Sequence, residues 1–280
     1  SNWDCYLCNG DVPELNVAAV VQDDTWKLQA YVGWYEASGS ASGKDIIIAF
    51  RGTVNDEIRN WIIDAGINHI SPWKLNRRVP RETTVAAGFY RAWSHLRPGI
   101  LSAVKELDPD GDSDIYVTGH SLGGAMATLC TFDLHFEERI NVKNTFTYGQ
   151  TRTGNAIFAD TYEAAGLSSR HWRVTHWKDP VPQYPWPTLD YHHVAREVFY
   201  NEDFTQVFFG DGSGESPDGQ NSICETSGGQ NIKCLNPSDH TFYLNMTTGD
   251  KACIPPAKQG AKNYLRKKNA ATVIEGHLKL

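Results

Sequence analysis

No stretch of this chain is apolar for long enough to cross a bilayer as a helix, which excludes a membrane-spanning helix. There is no cationic excess. Lys and Arg number 26 against 33 Asp and Glu, and the net charge of −7 argues against nucleic acid as the main partner. Cys5-x-x-Cys8 has no second pair and no histidine at ligand spacing, so no zinc site is expected there; no cofactor is expected. No internal repeat and no second folded domain are visible. No secretory leader is visible either, so the chain is expected to be a mature form or cytosolic.

What is present fits one large α/β domain. Apolar residues make up 40% and charged residues 21% of the 280 positions, ordinary values for a globular protein with a substantial core. Nine tryptophans and twelve tyrosines suit a protein that binds something apolar or aromatic. The domain is expected to span 1–256, followed by a basic C-terminal extension, 257–280. That tail carries Lys258, Lys262, Arg266, Lys267, Lys268 and Lys279 against Glu275 alone, a net +5 that leaves −12 for the rest. It reads as a solvated extension rather than a contact with an acidic surface.

Six cysteines are present. Cys130 falls on the apolar face of a helix and is expected to be a buried free thiol. Cys5, Cys8, Cys224, Cys234 and Cys253 lie near the chain ends and in a polar stretch, a distribution that favours disulfides and an oxidising compartment. Cys224 is expected to pair with Cys234, and Cys253 with Cys5 or Cys8. Asn245-Met246-Thr247 is the only glycosylation sequon.

Strands are expected at 17–21, 27–35 and 45–50, joined by short Asp/Gly/Ser turns and therefore antiparallel. A helix is expected over 89–107, then a strand, a helix to about 138 and a strand at 144–148. A helix at 156–165 and a strand at 170–175 follow, and 210–239 is loop-rich. This alternation predicts a mixed, mostly parallel central sheet with helices on both faces.

Gly119-His120-Ser121-Leu122-Gly123 is the most informative stretch. Asp114-Ile115-Tyr116-Val117-Thr118 leads in as a strand, and Leu122, Ala125, Met126 and Leu129 lead out at helical spacing. That strand-turn-helix context is what a nucleophile elbow needs: glycines permit the sharp turn that presents the serine hydroxyl. The bland alternative is a Gly-rich turn with an idle serine.

An elbow serine needs a base and an acid, which in α/β-hydrolase sheets follow it in the order acid, histidine. Asp179, in His176-Trp177-Lys178-Asp179-Pro180, lies just past a strand at the same sheet edge. His240 follows a long loop that could swing it over that edge. His69 and His95 precede the serine, His192 and His193 fall in an apparent strand, and His277 is in the tail. His240 is therefore the expected base, with Asp179 holding its tautomer. The Leu122 amide and the Thr53 amide and hydroxyl, at the end of Phe50-Arg51-Gly52-Thr53, are the expected oxyanion donors. Next, Ile58, Trp61, Ile62 and Ala65 are spaced for an amphipathic helix ended by Gly66. It is either core-packed or a lid.

Six segments then occur in order: Phe50-Arg51-Gly52-Thr53, Ile58-Arg59-Asn60-Trp61-Ile62, Gly119-His120-Ser121-Leu122-Gly123-Gly124, Tyr148-Gly149-Gln150-Thr151-Arg152-Thr153-Gly154-Asn155, Arg173-Val174-Thr175-His176 with Asp179-Pro180-Val181-Pro182, and Asp239-His240-Thr241 with Tyr243. Together they resemble the class 3 lipases of filamentous-fungal type, over roughly residues 15–253. The resemblance implies an α/β-hydrolase fold and a secreted, metal-independent triacylglycerol lipase acting at a lipid–water interface. It implies Ser121, Asp179 and His240 as a triad, Thr53 and Leu122 as the oxyanion hole, and a lid bearing Ile58, Trp61 and Ile62. The partners implied are an acyl-ester substrate and, transiently, the lipid surface. Two departures stand out: the stretch from Thr53 to Trp61 is longer than in the fungal lipases, and Thr151 replaces a usual proline. A soluble feruloyl-type esterase is the alternative within the fold, and a non-catalytic binding protein the alternative outside enzymes.

Overall fold

The computed structural model describes residues 15–53, 66–194, 196–210, 220–224, 233–244 and 246–248. The expected lid residues Ile58, Trp61 and Ile62, the cysteines Cys5, Cys8 and Cys253, Asn245 and the basic tail lie outside the described residues.

An eight-stranded sheet organises the chain. Strands β1 (Asn16–Asp23), β2 (Leu28–Glu36) and β3 (Lys44–Phe50) form an antiparallel meander. A two-stranded ribbon, β4 (His69–Ile70) with β5 (Val85–Ala86), stands beside the sheet. From β3 the sheet runs parallel through β6 (Asp114–His120), β7 (Val142–Tyr148), β8 (His171–His176) and β9 (Arg196–Tyr200). Strand β10 (Val207–Phe209) closes the far edge antiparallel. The α/β-hydrolase expectation therefore stands, with the antiparallel portion where short turns demanded it.

Three helices cover one face. In α1 (Ala87–Leu107), Phe89, Trp93, Leu96, Ile100 and Val104 recur at helical spacing and are buried, while Pro98 sits on the exposed side. Helix α2 (Leu122–Asp133) is buried on all sides, which is why its sequence is small and apolar rather than amphipathic. Its polar members are satisfied internally: Thr128 and Thr131 donate to the carbonyls of Gly124 and Ala127. Asp133 accepts from Trp73 Nε1 at 2.6 Å, Trp93 Nε1 at 2.7 Å and Arg97 Nε at 3.0 Å. Phe158 and Tyr162 of α3 (Ala156–Ala164) pack on Phe132. Cys130 is buried and free, as expected.

Alternate strand residues form the opposite face. There Val174 and Val198, with Tyr148, Trp172 and Tyr200, cluster around Tyr243. The helical turn Pro237–His240 and the hairpin of β11 (Phe242–Tyr243) and β12 (Met246–Thr247) cover that side among the described residues.

One local expectation fails. His192 and His193 are not in a strand: His192 makes an isolated bridge to Gly154, and the strand begins at Arg196. Buried His193 instead donates Nε2–H to the Pro182 carbonyl at 2.8 Å, so loop bonding displaces ladder bonding there.

Candidate active site

The parallel strands all end at one edge, and the functional side chains converge there. Phe50 of β3 lies beside Gly119 of β6, so the segment ending in Thr53 and the turn bearing Ser121 are neighbours. Ser121 has φ 59° and ψ −125°, a conformation that a non-glycine residue holds only when its surroundings dictate it. Those surroundings are very tight. A Cβ on Gly119 would come within 2.2 Å of the Gly123 carbonyl oxygen, and one on Gly123 within 2.3 Å of that of Phe50. The glycines of the motif are thus required by close backbone approach. The Ser121 amide donates to the Tyr148 carbonyl at 2.9 Å, which pins the elbow to β7.

Asp179 sits three residues past β8 and is fully buried. Its carboxylate accepts from His240 Nδ1 at 3.0 and 2.8 Å and from the Val181 amide at 2.8 Å. The Tyr243 hydroxyl donates to it as well. Burial and the Asp179 charge hold the Tyr243 phenol far above its ordinary pKa, so it stays a donor. Because a carboxylate only accepts, His240 Nδ1 carries the proton and Nε2 presents its lone pair.

The turn carrying His240 is stitched to the turn carrying Asp179. The Asn236 amide donates to the Lys178 carbonyl at 3.2 Å, and the Lys178 amide to Asp239 Oδ2 at 3.2 Å. His176 Nδ1 donates to the Asp239 carbonyl at 3.1 Å. Gly149, at φ 56°, floors the pair: a Cβ there would lie 2.9 Å from His240 Nδ1 and 3.0 Å from Asp179 Oδ2.

The buried polar atoms with no hydrogen-bond partner among the described residues include His240 Nε2 and Thr53 Oγ1, both at this edge. Leaving a buried polar atom unpaired costs roughly 1–3 kcal/mol, so such atoms mark places where a reacting group is met. The Leu122 amide, first in α2, has no carbonyl one turn earlier to bind, and the helix N-terminus favours an anion there. No hydrogen bond joins Ser121 Oγ to His240 Nε2 in this state, among the described residues. A lone-pair nitrogen, an elbow hydroxyl and two free donors are together what acyl transfer uses.

Three other described histidines are engaged elsewhere. His69 bonds Thr84 Oγ1 and the Leu189 carbonyl, His95 pairs with Asp23, and His171 lies between Tyr162 and Thr147. No group of His, Cys, Asp and Glu among the described residues could hold a metal ion.

Sequence reasoning overlooked three supports. Tyr243 stood within a quoted segment without a role. Arg152, fully buried, donates to the Gln183 carbonyl at 2.6 Å and braces the loop after Asp179. Gln220 left no local signal, yet its Nε2 bonds the carbonyls of Trp177 at 3.0 Å and Asp179 at 2.9 Å, and its Oε1 accepts from Gln183.

Cys224 and Cys234 form the expected disulfide, joining the Gln220 segment to the segment that leads into His240. Replacing both cysteines by serine is expected to cost on the order of 3 kcal/mol from loop closure alone. It should also lower kcat, since both ends clasp the Asp179 turn. Denaturant unfolding with parallel kinetics checks this; unchanged stability and unchanged kcat would sink the clasp.

Comparison with known proteins places the chain in a family. The model for the lipase (class 3) family matches residues 47–189, about half of the chain. A secreted mono- and diacylglycerol lipase A of Penicillium cyclopium is 33% identical over 155 residues, 55% of this chain and 47% of that protein. A lipase of Rhizomucor miehei is 29% identical over 255 residues, 89% of this chain and 64% of that protein. The chain thus spans from about half to under two thirds of the length of these curated relatives. Among solved structures, lipase II from Rhizopus niveus superposes with a TM-score of 0.75 at 26% identity, covering 90% of this chain and 88% of that one. No helix among the described residues is long and apolar enough to cross a membrane. The chain belongs to the class 3 lipase family.

Proposed function

We propose that this chain is a secreted serine ester hydrolase, a triacylglycerol lipase that works at a lipid–water interface through Ser121, Asp179 and His240. One observation carries the reading: the His240 ring is held by Asp179 through Nδ1 while its buried Nε2 is left without a partner beside the Ser121 elbow. The names of the relatives support glycerol esters as the substrate class and support secretion.

The chemistry follows from these positions. His240 Nε2 takes the Ser121 proton as Oγ attacks the ester carbonyl. The tetrahedral oxyanion forms against the Leu122 amide and the Thr53 amide and hydroxyl; one such donor is typically worth ~10²–10³ in rate. The imidazolium is stabilised by Asp179, whose charge is spread over Val181 N–H and Tyr243 O–H. His240 then protonates the leaving glycerol oxygen, which departs, and Ser121 is left acylated. Water repeats the sequence with His240 as base and releases the fatty acid. The proposed lid bears Ile58, Trp61 and Ile62. Opening it exposes apolar area at ~25 cal/mol per Å², a cost that an oil surface offsets. Residues 1–256 act as the hydrolase domain, and 257–280 as a basic extension.

Initial rates on esters of increasing acyl length, on emulsified triglyceride and on methyl ferulate test the reading. Long-chain triglyceride should be cleaved, with a rise in rate once substrate exceeds its solubility. Hydrolysis confined to dissolved short-chain or ferulate esters, without that rise, would favour the soluble esterase.

A further inference from the structure

The mechanism above gives no role to the residue that precedes the nucleophile. His120 ends β6 and is registered opposite Tyr148. Its Nε2–H donates to the backbone carbonyl of His240 at 2.7 Å. Its ring lies against the His240 ring, with centroids 4.5 Å apart and planes inclined by 31°. The edge of Tyr243 completes the group, at 5.6 Å from His120.

We propose that His120 is a positioning residue that ties the base to the nucleophile: the side chain next to Ser121 grips the backbone of His240 and so sets the gap between Ser121 Oγ and His240 Nε2. The inference rests on the ester-hydrolase reading. Asp179 fixes only the Nδ1 end of the imidazole. It leaves the ring free to pivot about that contact, and the bonds that hold the Pro237–His240 turn tie it to the Asp179 turn rather than to the serine. His120 supplies the tie from the nucleophile's side. It is continuous with Ser121 along β6, whose elbow is pinned to β7, so serine and base shift together.

A second imidazole beside the base is tolerable only if it stays uncharged. The titratable groups facing His120 are His240, Asp179 and Tyr243, with Tyr148 across the strand pair. Burial first, and then repulsion from a protonated His240, push His120 down to about 3. Its carbonyl-facing nitrogen therefore keeps its proton and goes on donating. When His240 becomes imidazolium during turnover, the neutral His120 ring beside it adds no charge–charge repulsion.

Two variants separate gripping from mere packing. His120→Gln keeps an N–H able to reach the carbonyl, and should hold kcat within about threefold of wild type, the scale of one modest hydrogen-bond adjustment. His120→Phe keeps the ring and loses the donor, and kcat on a dissolved short-chain ester should fall ~30–100-fold with KM little changed, the scale of a misplaced reacting group. The acid limb of the wild-type kcat/KM profile should fall with a slope of one proton. His120→Phe at wild-type kcat, or a two-proton slope above pH 4, overturns the proposal. A readout independent of turnover comes from nitrogen-15 histidine spectra of Ser121→Ala protein. His120 should be the neutral Nε2–H tautomer throughout pH 4–8. An Nδ1–H tautomer, or titration in that range, contradicts the grip even if the chain cleaves no ester. Loss of the ester-hydrolase reading would show separately, as wild-type protein that neither turns over esters nor reacts with a serine-directed phosphonate.

Discussion

Ser121→Ala is expected to lower kcat/KM for ester hydrolysis by ~10⁴–10⁶ while leaving the fold intact. In the proposed mechanism the hydroxyl is the atom that attacks, and no other described side chain stands at the elbow to replace it. Alanine carries the same Cβ as serine, so the φ of 59° is no harder to hold. The elbow is fixed by backbone contacts: the Ser121 amide on the Tyr148 carbonyl, and the close approach of Gly119 to Gly123. Thermal unfolding should therefore be nearly unchanged while activity vanishes. A variant keeping a hundredth or more of wild-type rate would mean that the reaction runs elsewhere.

Asp179→Asn is the second large effect, expected at ~10³–10⁴ in kcat. The carboxylate receives His240 Nδ1–H, Val181 N–H and Tyr243 O–H together. An amide has one acceptor atom where the carboxylate has two. If its NH2 turns to Nδ1, the ring must carry its proton on Nε2, and a protonated Nε2 cannot accept from Ser121. It also loses the charge that stabilises the imidazolium. His240→Ala should be comparably damaging, and the double variant only slightly worse than either single one, because these groups act as a unit. Multiplicative losses in the double variant would show that Asp179 and His240 act separately.

The sequence was most legible where chemistry demands local pattern. The elbow announced itself because a strand, two tightly packed glycines and a buried helix must be contiguous to present one hydroxyl. Asp179 was legible from its place just past β8. His240 emerged because His69 and His95 precede the serine, His192 and His193 read as part of a strand, and His277 lies in the tail. The Cys224–Cys234 pair showed in its spacing. The parallel half of the sheet followed from strands alternating with helices, and the antiparallel half from short turns. Strands β9 and β10 were harder, since their short apolar runs carry no periodicity. There the histidines at 192 and 193 drew the strand too early. Gln220 was invisible: one amide serving carbonyls some 40 residues away leaves no local trace. The knot of Trp73, Trp93 and Arg97 on Asp133 is equally non-local. Long-range polar bonding, rather than hydrophobic pattern, is what the linear text conceals.

The most direct test of the central claim is peptide mapping after reaction with a phosphonate ester that acylating serines displace. Ser121 Oγ should form the phosphorus–oxygen bond as the leaving group departs, so the full adduct mass should sit on the peptide containing Ser121. Labelling should slow by orders of magnitude in His240→Ala and be absent in Ser121→Ala. An adduct on another residue, or an active esterase that carries no adduct on Ser121, would contradict the account.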